Sequence, residues 1–179
     1  MKNILIPILL FNFIMCSTPN ESTNDLLIIG TYTKKEGHVD GKGRGLGVFI
    51  VTNEKLAEQS VADLVNPTFF DISSAGDVIY TANETGPEVD STGSLSAYRI
   101  NKHGELDHLS TQSSGSFYPC HVAVDPGDRL VIASNYAGGI AVLPIGDIGE
   151  LLPPTQTLFF EGKGTHPRQD SSHPHSTTI

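Results

Sequence analysis

Short apolar runs alternate with turn residues along most of this chain. Residues 26–32 (LLIIGTY) and 46–51 (LGVFIV) are two such runs, and residues 34–45 between them contain four glycines. Apolar runs of this length are typical of β-strands, and the glycine-rich stretch is typical of an exposed hairpin loop. His38 lies in that loop and is interpreted as a loop residue without a role in a site. No stretch shows the spacing of an amphipathic helix, so the pattern predicts an all-β protein.

The strand pattern repeats along the chain. Residues 67–83 and 119–135 match class for class: each has a proline, an alternating strand, a Gly/Asp turn, an apolar strand and a closing asparagine. A third start of the same kind occurs at Pro174. Four-stranded repeats of about 40–50 residues are typical of β-propeller blades. The sequence therefore predicts a first blade over 26–65, a second over 66–118, a third over 119–165 and the start of a fourth over 166–179.

Three blades are fewer than a propeller ring needs. Propellers close with about four to eight blades, and an uncovered blade leaves a large apolar face open. We therefore expect an incomplete ring, with the chain being the N-terminal piece of a longer protein. Association of several three-bladed chains is the alternative. A full-length ring is expected to be a monomer.

The first residues have a different composition. Lys2 precedes an apolar run over 4–15, and Cys16 and a polar stretch follow. This run is too short to span a bilayer and has the length of a signal-peptide core. We interpret 1–16 as a signal peptide of the lipoprotein type with Cys16 as the lipidated residue, followed by a polar linker over 17–25. The expected location is then the periplasm or a lipid-anchored membrane surface, and cytoplasmic if 1–16 is not a signal.

Net charge and cysteine content exclude some classes of function. The net charge of −9 excludes a protein that binds nucleic acid through a basic face. The two cysteines, Cys16 and Cys120, provide neither a disulfide framework nor metal-ligand spacing. Cys120 is interpreted as a small buried residue rather than a nucleophile.

Side chains that could act in catalysis are concentrated at residues 165–175 (THPRQDSSHPH). The Pro and Ser content of this stretch predicts a loop. The repeat places His175 in the same position as Cys120, at the start of an innermost strand that lines the central channel. Alternation along a strand turns His121 to the opposite side. A functional role is favoured for His173 and His175, whereas His121 is left open. The His-x-His pair alone does not make a metal site, so neither a metal nor another cofactor is predicted.

Three motifs resemble those of a known family. PCHVAVDP at 119–126, SNYAGG at 134–139 and RQDSSHPH at 168–175 resemble the seven-bladed propeller lactonases, which include bacterial propeller-type 6-phosphogluconolactonases and fungal carboxymuconate-cyclising enzymes. The resemblance implies a metal-independent lactone hydrolase acting on a small-molecule lactone. It implies catalytic roles for Arg168, His173 and His175. We assign His121 and Asn135, which lie in the other two motifs, to substrate binding.

Opening of a sugar lactone to the aldonic acid needs an activated water and stabilisation of an oxyanion. Neutral His175 is expected to accept the proton of the water, and Arg168 to stabilise the oxyanion or bind an anionic group of the substrate. His173 is expected either to orient His175 or to protonate the leaving alkoxide. A binding module built on a propeller and an inactive truncated product are the alternative hypotheses.

Overall fold

The computed structural model describes residues 25–52 and 55–179. The predicted signal segment over 1–16, the lipidation candidate Cys16 and the predicted linker up to residue 24 lie outside the described residues. Within them no helix is long and apolar enough to cross a membrane. The regular structure consists of thirteen strands: β1 (Asp25–Gly30), β2 (Lys35–Glu36), β3 (Val39–Asp40), β4 (Leu46–Thr52), β5 (Lys55–Ala62), β6 (Pro67–Ile72), β7 (Val78–Asn83), β8 (Ser94–Ile100), β9 (Leu106–Ser113), β10 (Pro119–Val124), β11 (Leu130–Asn135), β12 (Gly139–Pro144) and β13 (Gln156–Phe159).

The strands form three successive antiparallel sheets and one small hairpin. The first sheet has the order β1-β4-β5, the second β6-β7-β8-β9 and the third β10-β11-β12-β13. The hairpin of β2 and β3 is inserted between the first two strands of the first sheet. Each sheet is a simple up-and-down arrangement of strands that follow one another along the chain, as in propeller blades. The predicted all-β propeller fold is confirmed.

The sequence repeat corresponds to a structural repeat. Pro67 pairs with Asn83 in the second sheet, and Pro119 pairs with Asn135 in the third. Both first strands carry a register shift immediately after the proline. The residue before each proline has a positive φ, 45° at Asn66 and 55° at Tyr118. The start of each first strand and the end of each second strand therefore lie at the same end of the molecule.

The hydrophobic core lies between the sheets. Strand β7 is buried along its whole length because alternate residues face opposite neighbours. Ile79 lies on the side that faces the first sheet. It packs in one cluster with Leu46 and Val48 of β4 and with Tyr98 and Ile100 of β8. Its neighbours Val78, Tyr80 and Ala82 pack toward the third sheet with Val122, Val131, Ala133 and Leu143.

Polar contacts fix the spacing of neighbouring sheets. The carboxylate of Asp71 on β6 accepts a hydrogen bond of 2.9 Å from the backbone N–H of Val124 on β10. The hydroxyl of Tyr80 donates to the carbonyl of Gly149 at 3.1 Å. Both contacts join the second sheet to the third.

The predicted strand at Pro174 is not formed in the described structure. Residues 174–179 lie along the third sheet: Thr177 hydrogen-bonds through its hydroxyl to Ser134 at 2.6 Å and through its N–H to His121 Nδ1 at 3.4 Å. A strand requires a ladder partner, and no described residue provides one for this segment. The start of a fourth blade over 166–179 therefore stays a prediction.

Candidate functional site

The predicted catalytic loop borders a pocket at the end of the molecule where β6 and β10 begin. We call it the mouth pocket; its volume is about 320 Å³, and its lining residues are His38, Glu84, Tyr118, Cys120, Tyr136, Arg168 and His175. These side chains come from the β2–β3 hairpin, from the second and third sheets with their loops, and from the C-terminal segment. Loops carried on a rigid scaffold commonly hold binding and catalytic groups in this way.

The repeat explains why Glu84 and Tyr136 meet in the mouth pocket. Both follow the asparagine that closes a second strand, and both donate their backbone N–H to the residue before the first strand of the same sheet. Glu84 donates to the carbonyl of Asn66 at 2.9 Å, and Tyr136 to the carbonyl of Tyr118 at 2.8 Å. Sequence analysis missed this position, although the antiparallel pairing of each first and second strand brings it to the same end as the strand start.

The carboxylate of Glu84 is held in one orientation. Its Oε2 accepts hydrogen bonds from the hydroxyl of Tyr32 at 2.8 Å and from that of Thr68 at 2.7 Å. Its Oε1 lies 3.9 Å from Nε2 of His38. Burial, followed by the bond to Glu84, raises the pKa of Tyr32, so this phenol remains a protonated donor.

His38 faces the mouth pocket from the β2–β3 hairpin. Its ring lies edge-on between two tyrosines, with centroid distances of 5.7 Å to Tyr32 and 6.0 Å to Tyr118. The side chain is 47% exposed, which leaves it accessible to a ligand. His38 lies in a loop, as the sequence indicates, but no sequence pattern indicates that it lines this pocket, because that position depends on the hairpin folding toward the second sheet.

A buried network anchors this hairpin. Glu36 is buried on β2, and its Oε1 accepts a hydrogen bond of 2.6 Å from the side-chain amide of Asn66. The amide oxygen of Asn66 accepts from the backbone N–H groups of Thr33 at 2.8 Å and Lys34 at 3.0 Å. Burial, followed by the charge of Glu88, raises the pKa of Glu36. The network fixes residues 33 and 34, which lead into the hairpin that carries His38.

The structure brings Arg168 and His175 together in the mouth pocket. The ring of His175 lies edge-on to Tyr136 at a centroid distance of 6.0 Å. Arg168 is exposed, and its backbone N–H donates to Nδ1 of His166 at 3.1 Å. The pocket therefore combines an imidazole and a guanidinium, which suit proton transfer and anion stabilisation respectively.

His173 lies beside the mouth pocket rather than among its lining residues. Its ring stacks on Tyr136 at 4.2 Å with an interplanar angle of 12°. Nδ1 donates to the carbonyl of Tyr136 at 2.7 Å, and Nε2 lies 3.4 Å from a carboxylate oxygen of Asp170. Both ring nitrogens thus face protein groups, and the contacts of His173 fit a residue that fixes the loop rather than one that protonates a leaving group.

Cys120 lines the pocket but is a poor nucleophile. Burial, followed by the negative charge of Glu84, raises the pKa of its thiol to about 11. The thiol is directed at backbone carbonyls, including those of Ser134 and Pro174 at 3.6 and 3.7 Å. It remains protonated at neutral pH, and the thiolate is the reactive form.

The two residues assigned to substrate binding lie outside the mouth pocket. His121 is turned to the other side of β10, where its ring lies 4.2 Å from that of Phe69 in a separate pocket that Thr177 also lines. Burial lowers the pKa of His121. Asn135 is fully buried, and its amide donates to the carbonyl of Ser114 at 2.9 Å. His121 faces away from the mouth pocket because alternate residues of a strand point to opposite sides. Asn135 is buried at the end of β11, where it pairs with Pro119.

A metal site needs several donor side chains around one point. Among residues 25–52 and 55–179, no three His, Cys, Asp or Glu side chains are arranged to hold a metal ion. The groups that line the mouth pocket are imidazole, guanidinium, carboxylate, phenol and thiol.

Several known proteins are similar to this chain in sequence and in fold. The chain is 34% identical over 152 residues to the 6-phosphogluconolactonase of Bacillus subtilis, covering 82% of this chain and 41% of the relative. It is 23% identical over 159 residues to the 6-phosphogluconolactonase of Formosa agariphila, covering 86% and 43%. The structure of the periplasmic gluconolactonase of Pseudomonas aeruginosa matches with a TM-score of 0.75 and 26% identity, covering 86% of this chain and 43% of that one.

The chain spans about two fifths of the length of these curated relatives, 41% and 43%. A family model described as lactonase, 7-bladed beta-propeller, matches residues 26–179, which is nearly all of the described chain. The three sheets and their repeat agree with that architecture. The chain therefore belongs to the family of seven-bladed β-propeller lactonases.

Proposed function

We propose that the protein hydrolyses a sugar lactone to the aldonic acid at the mouth pocket. The observation that carries this proposal is the convergence of His175 and Arg168 on one pocket in a chain of the lactonase family. Relatives named 6-phosphogluconolactonase and gluconolactonase support a sugar lactone as the substrate class. Because the chain corresponds to part of their length, the activity is proposed for the complete ring.

In this mechanism His175 acts as the general base. Its neutral imidazole takes a proton from water as the water oxygen attacks the lactone carbonyl. Tyr136 limits the orientation of the His175 ring through their edge-on contact. His173 acts indirectly, because its hydrogen bond to the carbonyl of Tyr136 fixes the loop that leads into His175.

Arg168 supplies positive charge to the site. Its guanidinium is permanently charged, so it stabilises the oxyanion of the tetrahedral intermediate without a change in protonation. Glu84 introduces a carboxylate on another wall of the pocket, and Glu88 lies close to Tyr118. This balance of charges favours a substrate whose hydroxyl groups face the carboxylate and whose carbonyl faces Arg168.

We also propose that the protein is exported and acts as a monomeric ring. The apolar run before Cys16 has the composition of a lipoprotein signal. An exported enzyme meets unphosphorylated lactones more readily than cytoplasmic phosphosugars. Membrane contact is then restricted to the lipid on Cys16.

The test compares hydrolysis of D-glucono-1,5-lactone and its 6-phosphate by the complete protein and its Arg168→Gln variant. We expect kcat/KM of the variant to fall by about 10²-fold, the loss typical of removing one oxyanion-stabilising group. Arg44→Gln is the matched control, because Arg44 is an exposed arginine on the first sheet that pairs with Glu58. Equal rates in the two variants would contradict the role of Arg168, and no hydrolysis by the complete protein would reject the function.

A further inference from the structure

We propose that His38, held beside Glu84, is a second catalytic residue that protonates the leaving ring oxygen of the lactone. This inference rests on the proposed lactone hydrolysis and assigns a role to a residue of the β2–β3 hairpin. The β2–β3 hairpin would then be part of the active site and not only a connection between β1 and β4.

The reaction requires an acid besides the base at His175. When the tetrahedral intermediate collapses, the ring oxygen departs as an alkoxide, which is a poor leaving group unless it receives a proton. His173 has Nδ1 and Nε2 directed at Tyr136 and Asp170. Burial and the bond to Glu88 raise the pKa of Tyr118 to about 12, which makes this phenol a weak acid. The pocket imidazole other than His175 belongs to His38.

Glu84 provides what a general acid needs from its surroundings. A carboxylate that faces one nitrogen of an imidazole restricts the orientation of the ring. Two hydrogen bonds, from Tyr32 and Thr68, fix Oε2 of Glu84, and Oε1 faces Nε2 of His38 at 3.9 Å. The Glu84 side chain is only 14% exposed, so its charge is weakly screened by water.

Several other charged groups surround His38. Glu36 on β2 and Glu88 in the loop after β7 both interact electrostatically with His38, and Arg168 lines the same pocket. Tyr32 and Tyr118 contact the ring edge-on, and burial raises the pKa of both phenols, which keeps them neutral. Three carboxylates, those of Glu36, Glu84 and Glu88, thus lie around His38.

The proposed step balances as follows. His175 accepts a proton from water as the water oxygen bonds to the carbonyl carbon. The bond between that carbon and the ring oxygen then breaks, its electron pair passes to the ring oxygen, and the oxygen takes the proton from Nδ1 of His38. Glu84 engages the Nε2 side of the ring, which leaves Nδ1 for the substrate. His38 regains a proton from solvent, and His175 releases its proton to solvent.

The decisive experiment varies the leaving group in the complete protein. With glucono-1,5-lactone, whose leaving group is an alkoxide, His38→Gln should lower kcat by about 10²-fold. With dihydrocoumarin, whose leaving group is a phenolate that needs no proton, the loss should stay below about 3-fold. His103→Gln is the control, since His103 is exposed in the turn after β8 and hydrogen-bonds to Asn101 through its backbone. Circular dichroism verifies that the variants are folded.

Glu84→Gln gives a second, independent readout. Glu84 faces Nε2 of His38, so its loss should lower kcat with glucono-1,5-lactone, whose leaving group needs a proton, and leave kcat with dihydrocoumarin nearly unchanged. Equal losses with both substrates in His38→Gln, or in Glu84→Gln, would overturn the role of His38. Failure of the wild type to hydrolyse either lactone would instead reject the proposed function together with it.

Discussion

At the scale of single residues, Tyr136 fixes the loop that carries His173 and His175 through both its ring and its backbone. The ring stacks on that of His173 and lies edge-on to that of His175. The backbone carbonyl accepts a hydrogen bond from Nδ1–H of His173. Stacked aromatic pairs contribute about 0.5–1.5 kcal/mol beyond the area they bury. A loop rich in Pro and Ser, which has no ladder of its own, is thereby fixed to the end of β11.

Cys120 gives a prediction at this scale. Its thiol has a pKa raised to about 11, so the reactive thiolate forms only as the pH approaches that value. We expect the peptide containing Cys120 to be alkylated by iodoacetamide slowly at pH 7–8 and progressively faster toward pH 11, as measured by mass spectrometry. Cys120→Ser should retain lactonase activity within about 3-fold, because the thiol takes no part in the chemistry. Rapid labelling at pH 7 with loss of activity would show that the thiol is a nucleophile.

At the scale of elements, the turn between the first two strands is built in the same way in the second and third sheets. The hydroxyl of Ser73 accepts the N–H groups of Asp77 and Val78, and the carboxylate of Asp125 accepts those of Arg129 and Leu130. These are equivalent positions of the repeat. Side chains that accept backbone N–H groups in this way are typical of Asx and ST turns.

The carboxylate in the third sheet makes this turn sensitive to pH. The hydrogen bonds to the backbone and side chain of Arg129 lower the pKa of Asp125 to about 2, below the value of about 3.9 for an unfolded chain. The stability it provides is complete above about pH 4 and is lost as the pH falls toward 2. Asp125→Asn should therefore lower the Tm at pH 7, and its difference from the wild type should shrink between pH 4 and 2.

Thermal unfolding followed by circular dichroism measures this effect. Asp107→Asn serves as the control, because Asp107 is an exposed carboxylate on β9. A Tm difference between wild type and Asp125→Asn that is the same at pH 7 and pH 2 would contradict the account of the turn.

The sequence predicted those elements whose pattern is local. The strands of the second and third sheets follow from alternation and from turn residues, and the propeller follows from their repeat. The strand expected at Pro174 stays a prediction, because a strand depends on a partner and no described residue pairs with this segment. The role of the β2–β3 hairpin was missed because a glycine-rich loop has no local signal for where it folds.

The sequence predicted those site residues whose positions follow from the repeat. The position of His175 follows from its equivalence to Cys120, and Arg168 precedes it in the same loop. Glu84 and His38 were missed because their meeting depends on contacts between different sheets. Asn135 was selected from a family-like motif, but its burial shows that a motif residue can serve the fold rather than the ligand.

At the scale of the whole molecule, the two outer sheets present apolar faces. On the first sheet, Leu27 and Ile29 are each 37% exposed, whereas the alternating residues Leu26 and Ile28 pack toward the second sheet. On the third sheet, Leu158 is 42% exposed and pairs with Ile140 on the face directed away from the second sheet. Apolar faces of this kind are typical of interaction surfaces, and in our proposal further blades of the ring cover them.

Leu158→Glu tests that coverage in the complete protein. If another blade packs on this face, the variant buries an unpaired charge and loses at least about 2–3 kcal/mol of unfolding free energy. Val89→Glu is the matched control, since Val89 is 36% exposed in a loop, where such a change costs about 0.5 kcal/mol or less. Denaturant unfolding gives both values, and equal costs would contradict coverage of the third sheet.

The central claim is that lactone hydrolysis takes place in the mouth pocket through His175. The most direct measurement compares kcat of His175→Asn and His121→Asn in the complete protein with glucono-1,5-lactone, because these two histidines lie in separate pockets of the same scaffold. The account predicts a loss of about 10²-fold or more for His175→Asn and a change below about 3-fold for His121→Asn. An unchanged kcat in His175→Asn, or an equal loss in both variants, would contradict it.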